Sequence, residues 1–412
     1  MNKCRLCHSK KVKRVVRLAP MPIGDAYLRK AQLRRQPVYA LDMFLCRACG
    51  LAQLPQLVAP DDIYRPYIYR SADSSGLVRH FEQYVGNVCA KFKPPRGALA
   101  IDIGSNDGSF VRFFRNHGLK ILGIDPATVI AREATKAGVP TIPEFFTQAT
   151  AKRIRQEHGQ AAIVTANNIF ANVANLDDFV AGVKELLLPK GLFIFETGYV
   201  LDLLQKAIFD NIYHEHLSYF SIKPLVKFFR RHGLQLVEAE RVNTKGGSIR
   251  CFVQHTQKAP RQAESVQRLI ALEEDYGVQT EETFRLFSAQ INLIMESLTT
   301  LIRRLRSKGL TVAGYGASVG VSTIIYYCGL GKGALDYLVD DNPQRQGLYS
   351  PGYHLPVLPP KAIYAKKPDY VLLLAWQYAR PIMARHRKYL EAGGRFILLL
   401  PQVRIVEQND AL

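Results

Sequence analysis

The densest run of titratable side chains is Phe209-Asp-Asn-Ile-Tyr-His-Glu-His-Leu-Ser-Tyr-Phe220. Histidine suits proton abstraction near neutral pH, because its ordinary pKa lies close to the working pH. His214 and His216 are therefore candidate bases; Glu215 could orient an imidazole, and Tyr213 could donate to a developing oxyanion. The same run also admits a metal. On a strand His214 and His216 would share a face and could chelate, although no third ligand is apparent. A core histidine with a purely structural role is the remaining reading.

A second cluster offers metal chemistry without catalysis. Cys4-Arg-Leu-Cys7 and Cys46-Arg-Ala-Cys49 are two Cys-x-x-Cys turns separated by 38 residues. Each turn can place two thiolates on one ion, and two pairs complete a tetrahedron. Four thiolates leave no open coordination position, so the expected ion is a structural zinc. The spacer exceeds the usual run of roughly 15–20 residues and should hold structure of its own.

The third candidate binds a cofactor. Asp102-Ile-Gly-Ser-Asn-Asp-Gly-Ser109 joins an apolar run to an amphipathic one. Gly104 permits a sharp turn, and Gly108 permits close approach of a ligand to the following helix. The run lacks the G-x-G-x-x-G dinucleotide fingerprint. Its form, acidic-x-Gly-x-x-x-Gly, instead resembles the first motif of class I methyltransferases. Asp125 follows 23 residues after Asp102, where an acidic side chain can take both ribose hydroxyls. Asn106, Asp107, Asn167 and Asn168 complete the expected cofactor set. A generic strand–helix turn capped by Asp107 and Ser109 is the structural alternative.

These residues need an alternating scaffold, and the pattern supplies one. Ala98–Ile103, Lys120–Ile124, Ala161–Ala166 and Leu192–Glu196 read as buried strands. Phe110–His117, Thr128–Ala137 and Leu176–Leu188 read as helices, the last stopped by Pro189-Lys190-Gly191. The fold class is α/β: a doubly wound, Rossmann-like methyltransferase core with flanking modules. Residues 261–308 read as helical, with Ile270, Leu272, Phe284, Phe287, Ile291, Ile294 and Leu298 at helical spacing. A second α/β set follows: strands Leu310–Gly314, Leu335–Val339, Tyr370–Ala375 and Arg395–Leu400, and helix Val319–Tyr327. The two α/β blocks could be a distant repeat. Residues 1 to about 60 look too irregular to pack without the metal. Expected domains are a zinc module over 1–75, a methyltransferase core over 76–257, a helical connector over 258–308 and a C-terminal α/β substrate domain over 309–412.

The 412-residue chain is 48% hydrophobic and 22% charged, which excludes a disordered protein. No apolar run approaches the roughly 20 residues of a membrane helix. The basic stretch Met1–Arg17 lacks the apolar core of a signal peptide, so a cytoplasmic location is expected. Seven cysteines, four of them in pairs, point to metal rather than disulfides. The net charge of +20 predicts attraction to polyanions: nucleic acid, a membrane surface or a phosphorylated substrate.

Over nearly its whole length the chain resembles the sugar C-methyltransferases that act on nucleoside-diphosphate 4-keto-deoxysugars. The segment Ile212-Tyr-His-Glu-His-Leu-Ser-Tyr-Phe-Ser221 is the most specific match. Tyr67-Ile-Tyr-Arg-Ser-Ala-Asp-Ser-Ser75, Gly246-Gly-Ser-Ile-Arg250, Gly314-Tyr-Gly-Ala-Ser318, Asp340-Asp-Asn-Pro-Gln-Arg-Gln-Gly347 and Pro351-Gly-Tyr-His-Leu-Pro356 are others. The resemblance implies S-adenosylmethionine as methyl donor and His216 as base, with Tyr213 and Glu215 as its neighbours. It implies a catalytic tyrosine at Tyr69, with Tyr67 as the alternative. It implies a sugar-nucleotide site drawn from Tyr67, Asn172, Lys245, Gly247, Ser248, Arg250, Tyr315 and Ser318. Three places depart from the family pattern: Asn172 and Lys245 stand where histidine is frequent, and Ser318-Val-Gly-Val-Ser-Thr323 lacks the usual Lys and Asn; the resemblance implies that all three face the substrate. A nucleic-acid methyltransferase is the rival reading, suggested by zinc and high charge. The chain lacks both an Asn/Asp-Pro-Pro-Tyr/Phe motif and a Pro-Cys loop, which argues against nucleic acid as partner. A degenerate fold serving as a scaffold is the third reading, and the intact Asp102 loop opposes it.

Overall fold

The structure is a computed structural model describing residues 3–408 and 410, apart from 66, 68 and 74. Met1, and Ile68 and Ser74 of the aromatic segment, therefore lie outside the described residues. Contacts divide the chain into two units, each built from three stretches. The first comprises Met1–Lys13, Leu45–Leu201 and Leu217–Gln279; the second comprises Arg14–Phe44, Asp202–His216 and Thr280–Leu412.

The N-terminal region is more regular than its composition suggests. β1 (Val12–Met21) and β2 (Tyr39–Cys46) are long strands. They bury alternate residues, Val16 and Leu18 in one and Leu41, Met43 and Leu45 in the other. That period of two is the signature of a strand with one covered face, and in β1 Lys13 and Arg17 on the other face conceal it in composition.

In the first unit β3 (Ala52–Gln53) pairs antiparallel with a short strand at Ser218–Tyr219. The main sheet opens with β4 (Leu99–Ile103), β5 (Lys120–Ile124), β6 (Thr141–Ile142), β7 (Ala161–Thr165) and β8 (Leu187–Gly198). Counting Ser218–Tyr219 as β9, the sheet closes with β10 (Leu234–Val242) and β11 (Ser248–His255). The order is β10-β11-β8-β7-β4-β5-β6. Strands β4 to β8 are parallel, while β10 and β11 are antiparallel additions at one edge. The parallel strands are covered on both faces, so they read as continuous apolar runs.

Three local expectations change. Val111–His117 is a 3-10 helix rather than an α-helix, closed by Gly118 in the left-handed region. The Pro189-Lys190-Gly191 break lies inside β8, where the pairing with β7 shifts register between Ala161 and Ile163. A proline and a glycine in a strand interior mark a bulge, so the strand continues past them. Residues 261–308 form two helices, Glu264–Tyr276 and Glu281–Ser307, the first ended by Gly277.

The second unit carries its own sheet: β12 (Val312–Tyr315), β13 (Leu338–Val339), β14 (Val357–Leu358), β15 (Tyr370–Leu373), β16 (Arg395–Leu398) and β17 (Arg404–Val406). The order is β14-β13-β12-β15-β16-β17, parallel except for β17. Helix Val319–Tyr327 follows β12, as expected. Among the described residues no helix is long and apolar enough to cross a membrane.

Candidate active site

The four paired cysteines converge. Their Sγ atoms all lie within 4.8 Å of one another, with Cys4–Cys49 and Cys7–Cys46 at 3.6 Å. A tetrahedral ion with bonds of about 2.3 Å needs sulfur–sulfur edges of about 3.8 Å, so the set fits zinc. Backbone turns shape both knuckles: the amide of His8 donates to the Cys4 carbonyl, and that of Gly50 to the Cys46 carbonyl.

The cofactor loop stands at the carboxyl end of β4, where ligands of parallel sheets bind. Gly104 has φ +74°, and a Cβ there would sit 2.2 Å from the Ile169 side chain. Asp102 is buried and accepts the Thr165 hydroxyl at 2.6 Å; burial pushes its carboxyl up to about 7. Asp125 accepts the amides of Asn106 and Ala127, both at 2.8 Å. Burial raises its pKa and those two amides oppose the rise. Each of its oxygens keeps a lone pair, which fits two ribose hydroxyls. The aromatic segment straps this loop. Asn106 Nδ2 donates to the Tyr69 carbonyl at 2.9 Å and its Oδ1 accepts the Ser71 amide at 3.0 Å. Asp107 accepts the amides of Ala72 and Ser109, while the Gly108 amide donates to the Ser105 carbonyl. The Tyr67 and Tyr69 rings meet edge to face at 6.4 Å.

Beside the loop lies a cluster absent from the sequence reading. Glu196, in β8, accepts His80 Nε2 at 3.2 Å, the Thr244 hydroxyl at 2.7 Å, and Arg250 through Nε at 3.1 Å and Nη2 at 2.8 Å. Desolvation opposes ionisation, but His80, Arg250 and Thr244 together hold the Glu196 carboxyl down at about 2. Arg250 also stacks on Tyr84, 3.5 Å from the ring centroid. Arg250 was expected at the substrate; it is buried, and its guanidinium faces Glu196 and Tyr84. Lys245 is exposed in a tight turn with φ +49°, and Gly247 and Ser248 behind it are buried. Asn168 has φ +57°, and Asn172 Oδ1 is buried with no hydrogen-bond partner.

The Tyr-His-Glu-His run belongs to the second unit. It forms a turn, closed by the His216 amide on the Tyr213 carbonyl at 3.0 Å, so the strand that would let the histidines chelate together is absent there. His214 is buried edge-on to Tyr39, and burial lowers its pKa. His216 is half-buried, with Nδ1 3.0 Å from the Asn211 carbonyl and Nε2 2.8 Å from the Tyr213 hydroxyl. A carbonyl only accepts, so Nδ1 carries the proton and Nε2 is the basic atom. Glu215 does not orient this ring. Its two oxygens are buried without hydrogen-bond partners, and burial pushes the carboxyl up to about 8. The Asn211 carbonyl does the orienting instead.

The departures after Gly314-Tyr-Gly-Ala have a packing reason in this unit. A Cβ on Gly320 would come within 2.6 Å of the Asp210 carbonyl oxygen. Thr323 donates to the Ile212 carbonyl at 2.9 Å, and Trp376 donates to Asp210 at 2.9 Å. Helix Val319–Tyr327 thus packs on the segment that leads into the histidine turn. Ser318 is the exposed N-cap of that helix, and the buried Tyr315 hydroxyl meets Asp341 and His386. Asp340, in a segment matched to the family but given no role there, follows β13 and accepts the Ala317 amide at 2.6 Å and the Asn342 amide at 2.8 Å. The acid-after-second-strand rule that located Asp125 would have found it.

An acidic-glycine loop after β4 and a ribose-type aspartate after β5 define a class I S-adenosylmethionine-dependent methyltransferase. Three family models match: "Putative zinc binding domain" over residues 4–64, "Methyltransferase domain" over 79–239 and "C-methyltransferase C-terminal domain" over 243–401. The C-methyltransferase NovU of Streptomyces niveus is 32% identical and aligns with 100% of this chain and 98% of its own. The chain belongs to this C-methyltransferase family. A ubiquinone biosynthesis O-methyltransferase of Azorhizobium caulinodans is 28% identical over 29% of this chain and 47% of its own. Among solved structures, a magnesium protoporphyrin IX methyltransferase from Synechocystis covers 43% of this chain and 82% of its own, at 13% identity and TM-score 0.34. A Clostridium acetobutylicum methyltransferase covers 44% and 93%, at 11% identity and TM-score 0.34.

Proposed function

We propose that this C-methyltransferase acts on a nucleoside-diphosphate 4-keto-deoxysugar, at the carbon next to the ketone, C3. The observation that carries the reading is the tautomer of His216: Nδ1–H on a carbonyl and a basic Nε2 beside a tyrosine hydroxyl. The ketone at C4 acidifies the C3 proton. His216 Nε2 takes that proton, and the C–H electron pair moves into the C3–C4 bond as the carbonyl electrons move to oxygen. Tyr213, which donates to Nε2 in the free protein, is placed to donate to the enolate oxygen instead. When bound, S-adenosylmethionine would supply an electrophilic methyl group for C3, its sulfur keeping the electron pair of the broken S–CH3 bond as S-adenosylhomocysteine, and the ketone would re-form. His216 keeps the proton as an imidazolium and returns it to water. Glu215, neutral at physiological pH, adds no counter-charge; we assign it to shaping the turn.

Asp125, Asn106 and the Gly104–Gly108 loop would hold the cofactor, with Asp107, Asn167 and Asn168 beside them and Asp102 anchoring the strand end. Tyr69 and Tyr67, strapped to that loop, would face the sugar with Asn172 and the Lys245–Ser248 turn. Asp340, Ser318 and Tyr315 suit the nucleotide portion. Full-length identity to NovU and the C-methyltransferase domain support a carbon acceptor. A cytoplasmic place fits such a biosynthetic enzyme. The test is exchange of the sugar C3 proton with deuterated water in the absence of methyl transfer. Wild type should exchange it and His216→Gln should not; exchange untouched by the variant would remove His216 from the mechanism.

A further inference from the structure

The amide of Asn167 has its orientation fixed from one side and an unmet donor on the other. Its Oδ1 accepts the backbone amide of Glu196 at 3.2 Å and the Tyr84 hydroxyl at 3.2 Å. A backbone N–H only donates, so the atom facing it must be the oxygen. Nδ2 is then the outward donor, and it is buried with no hydrogen-bond partner. A buried unmet donor costs about 1–3 kcal/mol, a cost a ligand oxygen would relieve.

The topology says which part of a ligand that is. β7 and β5 flank β4 on opposite sides. Asp125 marks the ribose beyond β5, and Asn167 lies beyond β7, across the glycine loop. On the β5 side the chain exposes the apolar Val129, suited to an adenine ring. On the β7 side it presents polar groups, suited to the zwitterionic methionine moiety. An N–H donor meets a carboxylate there, not an ammonium. Glu196 does not repel that carboxylate, because the Arg250 guanidinium pairs with it.

We infer that Asn167 Nδ2 donates to the methionyl carboxylate of S-adenosylmethionine, and that Tyr84, Arg250 and Glu196 are positioning residues for that amide. The chain of contacts is continuous: Glu196 grips Arg250, Arg250 stacks on Tyr84, and the Tyr84 hydroxyl holds Asn167. This rests on the reading of Asp125 as the ribose ligand, and the test separates the two.

The experiment is calorimetric titration of the full chain, without sugar, using S-adenosylmethionine and decarboxylated S-adenosylmethionine. Asn167→Asp keeps an acceptor toward Tyr84 and Glu196 but turns a carboxylate toward the ligand. It should weaken S-adenosylmethionine by roughly tenfold or more and leave the decarboxylated compound nearly unchanged. Tyr84→Phe should show the same split at smaller size, and it carries the test if the Asp variant does not fold. Asp125→Ala should weaken both compounds alike. If Asp125→Ala changes neither, the ribose reading fails. If it weakens both while Asn167→Asp and Tyr84→Phe affect both compounds equally, or neither, the carboxylate assignment alone is overturned.

Discussion

Asp125 and Asp340 do the same thing in two separate sheets. Each follows the strand next to the one bearing a glycine loop, β5 beside β4 and β13 beside β12. Each accepts one backbone amide from that loop, Asn106 at 2.8 Å or Ala317 at 2.6 Å. Each accepts a second amide two residues downstream, Ala127 or Asn342, at 2.8 Å. A carboxylate held this way ties loop to strand and keeps lone pairs for vicinal hydroxyls. The two α/β blocks thus share a local device as well as a strand pattern.

Asp125→Ala removes a charge-assisted acceptor, a loss of roughly 1.5–3 kcal/mol per hydrogen bond. Affinity for S-adenosylhomocysteine should fall by roughly tenfold or more in calorimetry. Unchanged affinity would mean that this aspartate serves the loop and not the cofactor.

His216→Gln should reduce turnover by about 10²–10⁴-fold, the usual range for a general base, with cofactor affinity intact. Tyr213→Phe should reduce it less, because the Asn211 carbonyl still fixes the ring. His214 lies buried against Tyr39, so His214→Gln should act on stability before turnover. A His214 variant that folds normally yet loses more activity than His216→Gln would reverse the assignment.

Glu215 makes stability depend on pH in a defined direction. Its carboxyl is raised by burial from an ordinary 4.5 to about 8. The folded chain therefore holds this proton more tightly than the unfolded chain does. The resulting stability is complete below pH 4.5 and is lost as pH rises toward 8. Glu215→Gln carries no such proton. Measured against wild type, its Tm should rise progressively between those limits, by an amount equivalent to up to roughly 5 kcal/mol. Asp102, Glu273 and Asp210, also raised by burial, titrate in both proteins and cancel in the difference. A pH-independent Tm difference would show that the carboxyl is solvated.

The zinc module should carry one ion per chain by metal analysis. Cys4→Ser and Cys46→Ser should lower the Tm, since structural zinc contributes to folding free energy. A chelator should do the same without acting as a simple competitive inhibitor. Zinc-free protein of full stability would rule the ion out.

What the sequence disclosed was chemistry carried by spacing. Two Cys-x-x-Cys turns and an acidic-glycine loop are each fixed by residues within a few positions of one another, and Asp125 follows that loop at the end of the next apolar run. The parallel strands declared themselves because burial on both faces leaves uninterrupted apolar runs, as in Ala161–Thr165. Long-range geometry stayed hidden. Glu196 looks like the last residue of a strand; only the fold brings His80, Thr244 and Arg250 onto it. Glu215 reads as a natural partner for a neighbouring histidine, but the turn buries it and gives that part to the Asn211 carbonyl. Pro189 and Gly191 read as a stop because sequence does not distinguish a bulge from a loop. Gly320 read as a departure at a substrate position, whereas its lack of a side chain answers to the Asp210 carbonyl.

The last prediction sets a nucleotide-linked small molecule against nucleic acid, the class that a net charge of +20 would favour. Pairs such as Arg250 with Glu196, Arg345 with Asp25, Arg70 with Glu133 and Arg306 with Asp336 contribute nothing to that net figure, which is left over after every acidic side chain is counted. The excess would draw any polyanion, so salt dependence, not composition, distinguishes the two ligand classes. A protein gripping DNA through 6–10 phosphates loses about 10³–10⁵ in affinity between 50 and 200 mM salt. A two-phosphate ligand releases few counterions and should show a shallow slope. Nucleoside diphosphates, duplex DNA and structured RNA should be titrated at both salt concentrations. The expected outcome is nucleoside diphosphate binding with weak salt dependence. Asp340→Ala should weaken it by roughly tenfold or more and leave S-adenosylhomocysteine affinity unchanged. The reciprocal result is expected from Asp125→Ala, since each aspartate serves its own sheet. Tight, salt-sensitive nucleic-acid binding that supports methyl transfer, with no affinity for any nucleoside diphosphate, would overturn the sugar-nucleotide reading. Loss of both ligands in either single variant would instead show that the two clasps act as one site.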